Sequence, residues 1–123
     1  MTHSTKILVA DDDEDIRQVI GLVLEPFGFD IVGAGDGIEA LAVLRANPDV
    51  RLILLDLMMP RLSGIEMMKS LKEDVVLGRI PVVILSGDNT VSATAPAIGA
   101  ASYLRKPVDL DSLLQTINSS LRA

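Results

Sequence analysis

Apolar residues fall into five short runs, at positions 7–10, 30–34, 52–55, 81–85 and 102–104, and after each run they return at steps of three or four. Short aliphatic runs fit strands buried on both faces, and the wider spacing fits a stripe along one side of a helix. After the first run, Ile16, Val19, Ile20, Val23 and Phe27 mark a helix that ends around Pro26 and Gly28. Ile38, Leu41, Ala42 and Leu44 mark a second, stopped by Asn47 and Pro48. Ile65, Met68 and Leu71, with Lys72 continuing the spacing, mark a weaker third. Val91, Ala95 and Ile98 keep helical spacing in a fourth, but Asn89, Thr90, Val91, Ser92 and Thr94 are weak helix formers and Pro96 removes an amide. That fourth helix is expected to be poorly formed and mobile. The last is the clearest, with Leu110, Leu113, Leu114, Ile117 and Leu121 on one face and Asp109 or Asp111 near its start.

Five strand–helix units in alternation predict an α/β fold, a parallel sheet with helices on both faces. The second strand, with Asp30 and Gly33 in it, is the least apolar and is expected at an edge. In open sheets of this kind, ligands bind at the carboxyl ends of the strands. The first strand ends in Asp11 and Asp12, the third in Asp56, the fourth in Ser86 and the fifth in Lys106 and Pro107. The doubly wound, flavodoxin-like order 2-1-3-4-5 brings those four ends together. A chain of 123 residues predicts one domain over 1–123, with 1–5, including His3, as a flexible tail.

Composition narrows the chemistry. With one Tyr, two Phe and no Trp, stacking on nucleic-acid bases is not expected, and a formal net charge of −6 opposes binding to nucleic-acid or membrane phosphates. The absence of Cys excludes thiolate metal sites. No apolar segment is long enough for a membrane span or a signal-peptide core, so a cytoplasmic location is expected.

If Asp11, Asp12 and Asp56 converge, each pair of carboxylates about 4 Å apart repels by roughly 4 kcal/mol at an effective dielectric near 20. A cation must offset this, and an all-oxygen donor set selects Mg²⁺ or a similar hard ion over zinc. Lys106 adds a positive group and Ser86 a hydroxyl, a set suited to holding a phosphoryl group. Asp13, Glu14 and Asp15 read instead as the acidic start of a helix. A calcium loop is excluded because Ile16 stands where Gly is required and Leu22 where the closing Glu is required. Gly33, Gly35 and Gly37 lack the dinucleotide spacing, and Gly37 reads as a turn into the next helix.

The segments "LVADDDEDIR", "LILLDLMMPRLSG", "PVVILSG" and "YLRKP" resemble the four signatures of the receiver domain of two-component response regulators, in order and over essentially the whole chain. The length is similar to that of stand-alone receivers of the chemotaxis or phosphorelay kind. The resemblance implies a phosphorylated signalling protein rather than an enzyme in the ordinary sense. Asp56 would be the phosphoacceptor, receiving phosphate from a histidine kinase or histidine phosphotransfer protein. Asp12 would ligate Mg²⁺ directly, with Asp11 acting through water and Met58 through its carbonyl. Ser86 and Lys106 would contact the phosphoryl oxygens, Tyr103 would follow the state of the site, and the fourth helix, fifth strand and fifth helix would meet a downstream protein. Met58 and Asp88, two positions after Asp56 and Ser86, would flank the water that removes the phosphate. Ser86 stands where Thr is more frequent, and the segment between Ser86 and Tyr103 is about two residues shorter than expected and carries Pro96.

Two other classes fit the sequence less well. A haloacid-dehalogenase-like phosphatase with Asp11 as nucleophile would need Thr or Val where Asp15 stands, and room for a cap domain. A binding adaptor that keeps the fold without phosphorylation would not need the acid pair, Asp56 and Lys106 together.

Overall fold

The computed structural model describes residues 4–122. Strands Thr5–Ala10 (β1), Phe29–Ala34 (β2), Val50–Asp56 (β3), Val82–Ser86 (β4) and Ser102–Arg105 (β5) form one parallel sheet in the order β2-β1-β3-β4-β5. Helices Glu14–Leu24 (α1), Gly37–Ala46 (α2), Gly64–Glu73 (α3), Val91–Ala97 (α4) and Leu110–Arg122 (α5) alternate with them. The architecture is the expected flavodoxin-like one, with β2 at an edge and Asp30 exposed upon it.

Alternation along each strand divides the core in two, because successive side chains leave opposite faces of a pleated sheet. Leu8, Ile53, Leu55 and Ile84 pack with Leu44, Met67, Met68, Leu71, Val91 and Ala95 on the face covered by α2, α3 and α4. Ile7, Val9, Leu52, Leu54, Val83 and Leu85 pack with Ile20, Leu24, Leu113 and Ile117 under α1 and α5. β3 is buried from Leu52 to its end. Each such Leu or Ile side chain contributes roughly 1.5–3 kcal/mol by leaving water.

Local signals set the helix starts. Asp13 caps α1 by accepting from the Asp15 and Ile16 amides, Asp36 caps α2 through the Glu39 amide, and Ser63 and Glu66 form a reciprocal capping box on α3. Asp109 accepts from the Ser112 amide at 2.8 Å at the start of α5.

The structure corrects several expectations. Thr5 already belongs to β1, its amide bonded to the Gly28 carbonyl at 3.1 Å, so a tail over 1–5 does not extend to it. The expectation for His3 lies outside the described residues. Phe27 is exposed, because α1 ends at Leu24 and Glu25–Phe27 winds as a 3₁₀ turn containing Pro26. Ile38 and Ile65 are exposed while Ala40 and Met67 are buried. Both isoleucines lie in a first helical turn, and the close contacts at that level are made by glycines. A Cβ on Gly37 would come within 2.5 Å of the Leu62 carbonyl oxygen, and one on Gly64 within 2.5 Å of that of Asp56. Gly37 therefore serves a close approach of two backbones rather than a turn. α4 does form, with Val91 and Ala95 buried and Pro96 in its last turn, where the missing amide deprives only the Ser92 carbonyl.

Candidate functional site

Four strand ends deliver the site to one rim of the sheet. Asp11 follows β1 directly, its amide bonded to the Ala34 carbonyl, and is wholly buried. Its Oδ1 accepts the Asp13 amide at 3.0 Å and its Oδ2 accepts Lys106 Nζ at 2.9 Å. Asp56 ends β3 and is also buried; its Oδ1 accepts the Met58 amide at 3.0 Å and its Oδ2 lies 3.4 Å from Lys106 Nζ. Asp12 is exposed beside them. One carboxylate oxygen from each of Asp11, Asp12 and Asp56 falls within 4.8 Å of the others.

Ser86 ends β4, buried, with its Oγ accepting the Asp88 amide at 3.1 Å, and its carbonyl accepts the amide of Lys106, which directly follows β5. The Lys106–Pro107 peptide is cis. Met58, next to the acid group, is 78% exposed. Asp88 turns its carboxylate toward the start of α4, where Oδ1 accepts both the amide and the hydroxyl of Thr90. Tyr103 sits in β5 opposite Ile84, 37% exposed.

The electrostatics fit a cation or a phosphoryl group. Burial pushes the Asp56 carboxyl above its usual value, assisted by the charge of Asp11 and opposed by the Met58 amide and Lys106. Burial alone would pull the Lys106 ammonium down, but the Asp11 hydrogen bond and the charges of Asp56 and Asp11 together hold it above its ordinary value. A single ammonium thus faces two buried carboxylates with Asp12 beside them, a donor set of hard oxygens that suits Mg²⁺.

Sequence reasoning missed three side chains around this rim. Arg17 Nη1 donates to the Asp11 carbonyl at 2.6 Å, and its Cδ and Nε lie over Gly33 and its Nη1 over Gly35, where Cβ atoms would crowd them. Asp36, buried at the β2–α2 corner, accepts Arg61 Nε at 3.0 Å and Nη2 at 2.6 Å. The signal for Arg17 is the pair Gly33 and Gly35 at the end of the edge strand and just past it, where the absence of Cβ atoms leaves room for a side chain. The Asp36–Arg61 pair joins positions 25 apart and had no local signal.

Comparison with known proteins places this geometry. The model of the response regulator receiver domain matches residues 7–118. The CpxR homolog of Haemophilus influenzae, a transcriptional regulatory protein, is 35% identical over 120 residues, covering 96% of this chain and 51% of the relative. The response regulator MprA of Mycobacterium leprae is 37% identical, covering 95% and 51%. The chain spans about half the length of these relatives. Among solved structures, the Vibrio cholerae chemotaxis protein CheY4 superposes with a TM-score of 0.87 at 28% identity, covering 95% of this chain and 98% of that one. A response regulator receiver domain protein from Clostridium thermocellum gives 0.87 at 32% identity, covering 96% and 94%. With its four strand-end signatures gathered at one rim of the expected sheet, the chain belongs to the response regulator receiver domain family.

Proposed function

We propose that residues 1–123 act as one receiver unit, in the cytoplasm, whose Asp56 accepts a phosphoryl group from a histidine kinase or histidine phosphotransfer protein. A P–O bond to an Asp56 carboxylate oxygen forms as the P–N bond of the donor's phosphohistidine breaks. The observation that carries this reading is the convergence of buried Asp56 and Asp11, exposed Asp12 and the Lys106 ammonium at the carboxyl edge of the sheet. Asp12 and Asp56, with Asp11 through water and the Met58 carbonyl, would hold Mg²⁺. When bound, the ion offsets charge on the transferring group, in a reaction whose catalysis is mostly positioning and electrostatics. Lys106 pairs with one phosphoryl oxygen and Ser86 donates its hydroxyl to another. Tyr103 and α4 pass the change to the α4–β5–α5 surface, which meets a downstream protein, with no direct contact to nucleic acid or membrane. Slow loss of the phosphate to water is controlled by the side chains of Met58 and Asp88.

The docking face for the donor is the one that borders the site. Exposed Val19 on α1 lines an apolar groove with Ile16 and Ile20 of the same helix and the Lys106–Val108 loop. Val19→Glu should slow transfer from a protein donor while leaving transfer from a small phosphodonor unchanged.

Incubation with Mg²⁺ and a small acyl phosphate or phosphoramidate, followed by intact mass, tests the assignment. The expected result is one phosphoryl adduct per chain, absent in Asp56→Ala. Repeated turnover of phosphate esters would favour a phosphatase, and the absence of any adduct an adaptor.

A further inference from the structure

The seven residues that join β3 to α3, 57–63, carry Met58, whose amide holds Asp56 Oδ1. At both ends this loop is tied by backbone. The Gly64 amide returns to the Leu57 carbonyl at 3.1 Å, and the Leu62 carbonyl accepts the Gly37 amide at 3.1 Å from the start of α2. Between those ties stands Arg61, in a left-handed conformation (φ 64°) that side chains other than Gly seldom adopt. Such a conformation persists only where the surroundings over-determine it. Asp36 supplies that determination. Its Oδ1 is spent on the Glu39 amide at 2.8 Å, and its Oδ2 takes two donors from the Arg61 guanidinium, Nε at 3.0 Å and Nη2 at 2.6 Å. The side chain of Asp36 is 12% exposed and that of Arg61 60%, so the carboxylate is the fixed member and the arginine is the one brought to it.

From this arrangement we infer that the Asp36–Arg61 pair is a positioning clamp for the phosphoacceptor site, fixing the loop so that Met58 presents its amide to Asp56 and its carbonyl to the metal. The role in metal binding rests on the proposed function; the role in ordering the loop does not. The path is short and contiguous. Asp36 is anchored by capping α2, Arg61 is anchored to Asp36, and three residues before Arg61 is Met58. Neither charged residue belongs to the acid group itself, so both act through the backbone of the loop. Residues that orient metal ligands in this way cost roughly 10–100-fold in metal affinity when replaced.

The test uses the whole chain, four single variants and one double variant. Arg61→Gln removes the charge, Asp36→Asn keeps a good helix cap but removes the ion pair, Arg61→Lys keeps the charge, and Arg61→Gly accepts the left-handed backbone without the guanidinium. Hydrogen exchange of the Met58 amide in metal-free protein should quicken in Arg61→Gln, Asp36→Asn and Arg61→Gly and be partly restored in Arg61→Lys. Mg²⁺ affinity, read by titration, should fall about tenfold in the same three, and the Asp36→Asn/Arg61→Gln double variant should be no worse than either single one. Unchanged exchange, or faster exchange with unaltered Mg²⁺ affinity, would overturn the clamp. Wild-type behaviour in Arg61→Gly would overturn it too, by showing that the backbone rather than the ion pair sets the loop. Failure of the wild-type protein to bind Mg²⁺ would instead count against the proposed function, and is read before any variant is compared.

Discussion

Asp56 and Lys106 share one small volume, and their charges determine what removing either does. Because burial raises the Asp56 carboxyl, the folded protein binds its proton more tightly than the unfolded chain. Stability therefore falls as pH rises from the unfolded value of Asp through the folded one, and at neutral pH the ionised Asp56 is a net cost. Asp56→Asn without metal should melt a few degrees higher than wild type at pH 7, with the advantage shrinking toward pH 4; a pH series of melting curves checks this. Lys106 also loses stability with rising pH, but at neutral pH its contribution is favourable. Its raised value in the fold contributes stability that is complete below the ordinary lysine range and lost as pH climbs through the folded value. Lys106→Met strands the buried Asp11 carboxylate and should cost about 3 kcal/mol by denaturant unfolding. In the Lys106→Met/Asp11→Asn double variant part of that loss should return, since Asp11 is no longer a buried unpaired charge while Asp56 still lacks its ammonium. At this scale the sequence showed the ionisable groups that end strands, because strand ends announce themselves. It did not show Arg17, Asp36 or Arg61, whose partners are a backbone carbonyl and a side chain from another unit.

Elements were legible where a period and a stop coincide. Asn47 and Pro48 end α2 as expected, and α5 runs over the stripe that holds Leu113 and Ile117. The face a helix buries was less legible at first turns, where Gly37 and Gly64 rather than Ile38 and Ile65 make the close contacts. α4 shows two opposed influences at work. Pro96 and an N-cap without a side-chain bond weaken it, while Val91 and Ala95, both buried against the sheet, hold it in place. Seven residues are too few for a helix to stand by itself, so its order depends on that packing. Amides in 89–100 should exchange much faster than those of α5 in the unphosphorylated protein and slow when Asp56 is phosphorylated. Pro96→Ala, which restores a donor to the Ser92 carbonyl, should slow them without phosphate. Equal, strong protection of both helices in the wild-type protein would show that α4 is not the loose element.

For the molecule as a whole, strand order is what turns dispersed residues into a site. Asp11, Asp56, Ser86 and Lys106 are spread over 95 positions, and only an order with β1, β3, β4 and β5 adjacent puts them on one rim. The same assembly concentrates acid in a chain whose formal net charge is already −6, so the folded state carries a local repulsion that the unfolded chain lacks. A divalent cation bound to the native rim, as proposed, would relieve it and stabilise the fold by mass action. At a Mg²⁺ concentration a hundredfold above its dissociation constant the gain is about 2.7 kcal/mol. For a domain of this size that is roughly 8–10 °C in melting temperature. Mg²⁺ also screens charge generally, so the comparison is made against NaCl at equal ionic strength, where the Debye length and hence the general effect are matched. Asp12→Asn removes one acid while sparing the buried Asp11–Lys106 pair. It should melt slightly higher than wild type without metal and respond to Mg²⁺ little more than to NaCl. Equal Mg²⁺ responses in wild type and Asp12→Asn would remove Asp12 from the proposed metal site.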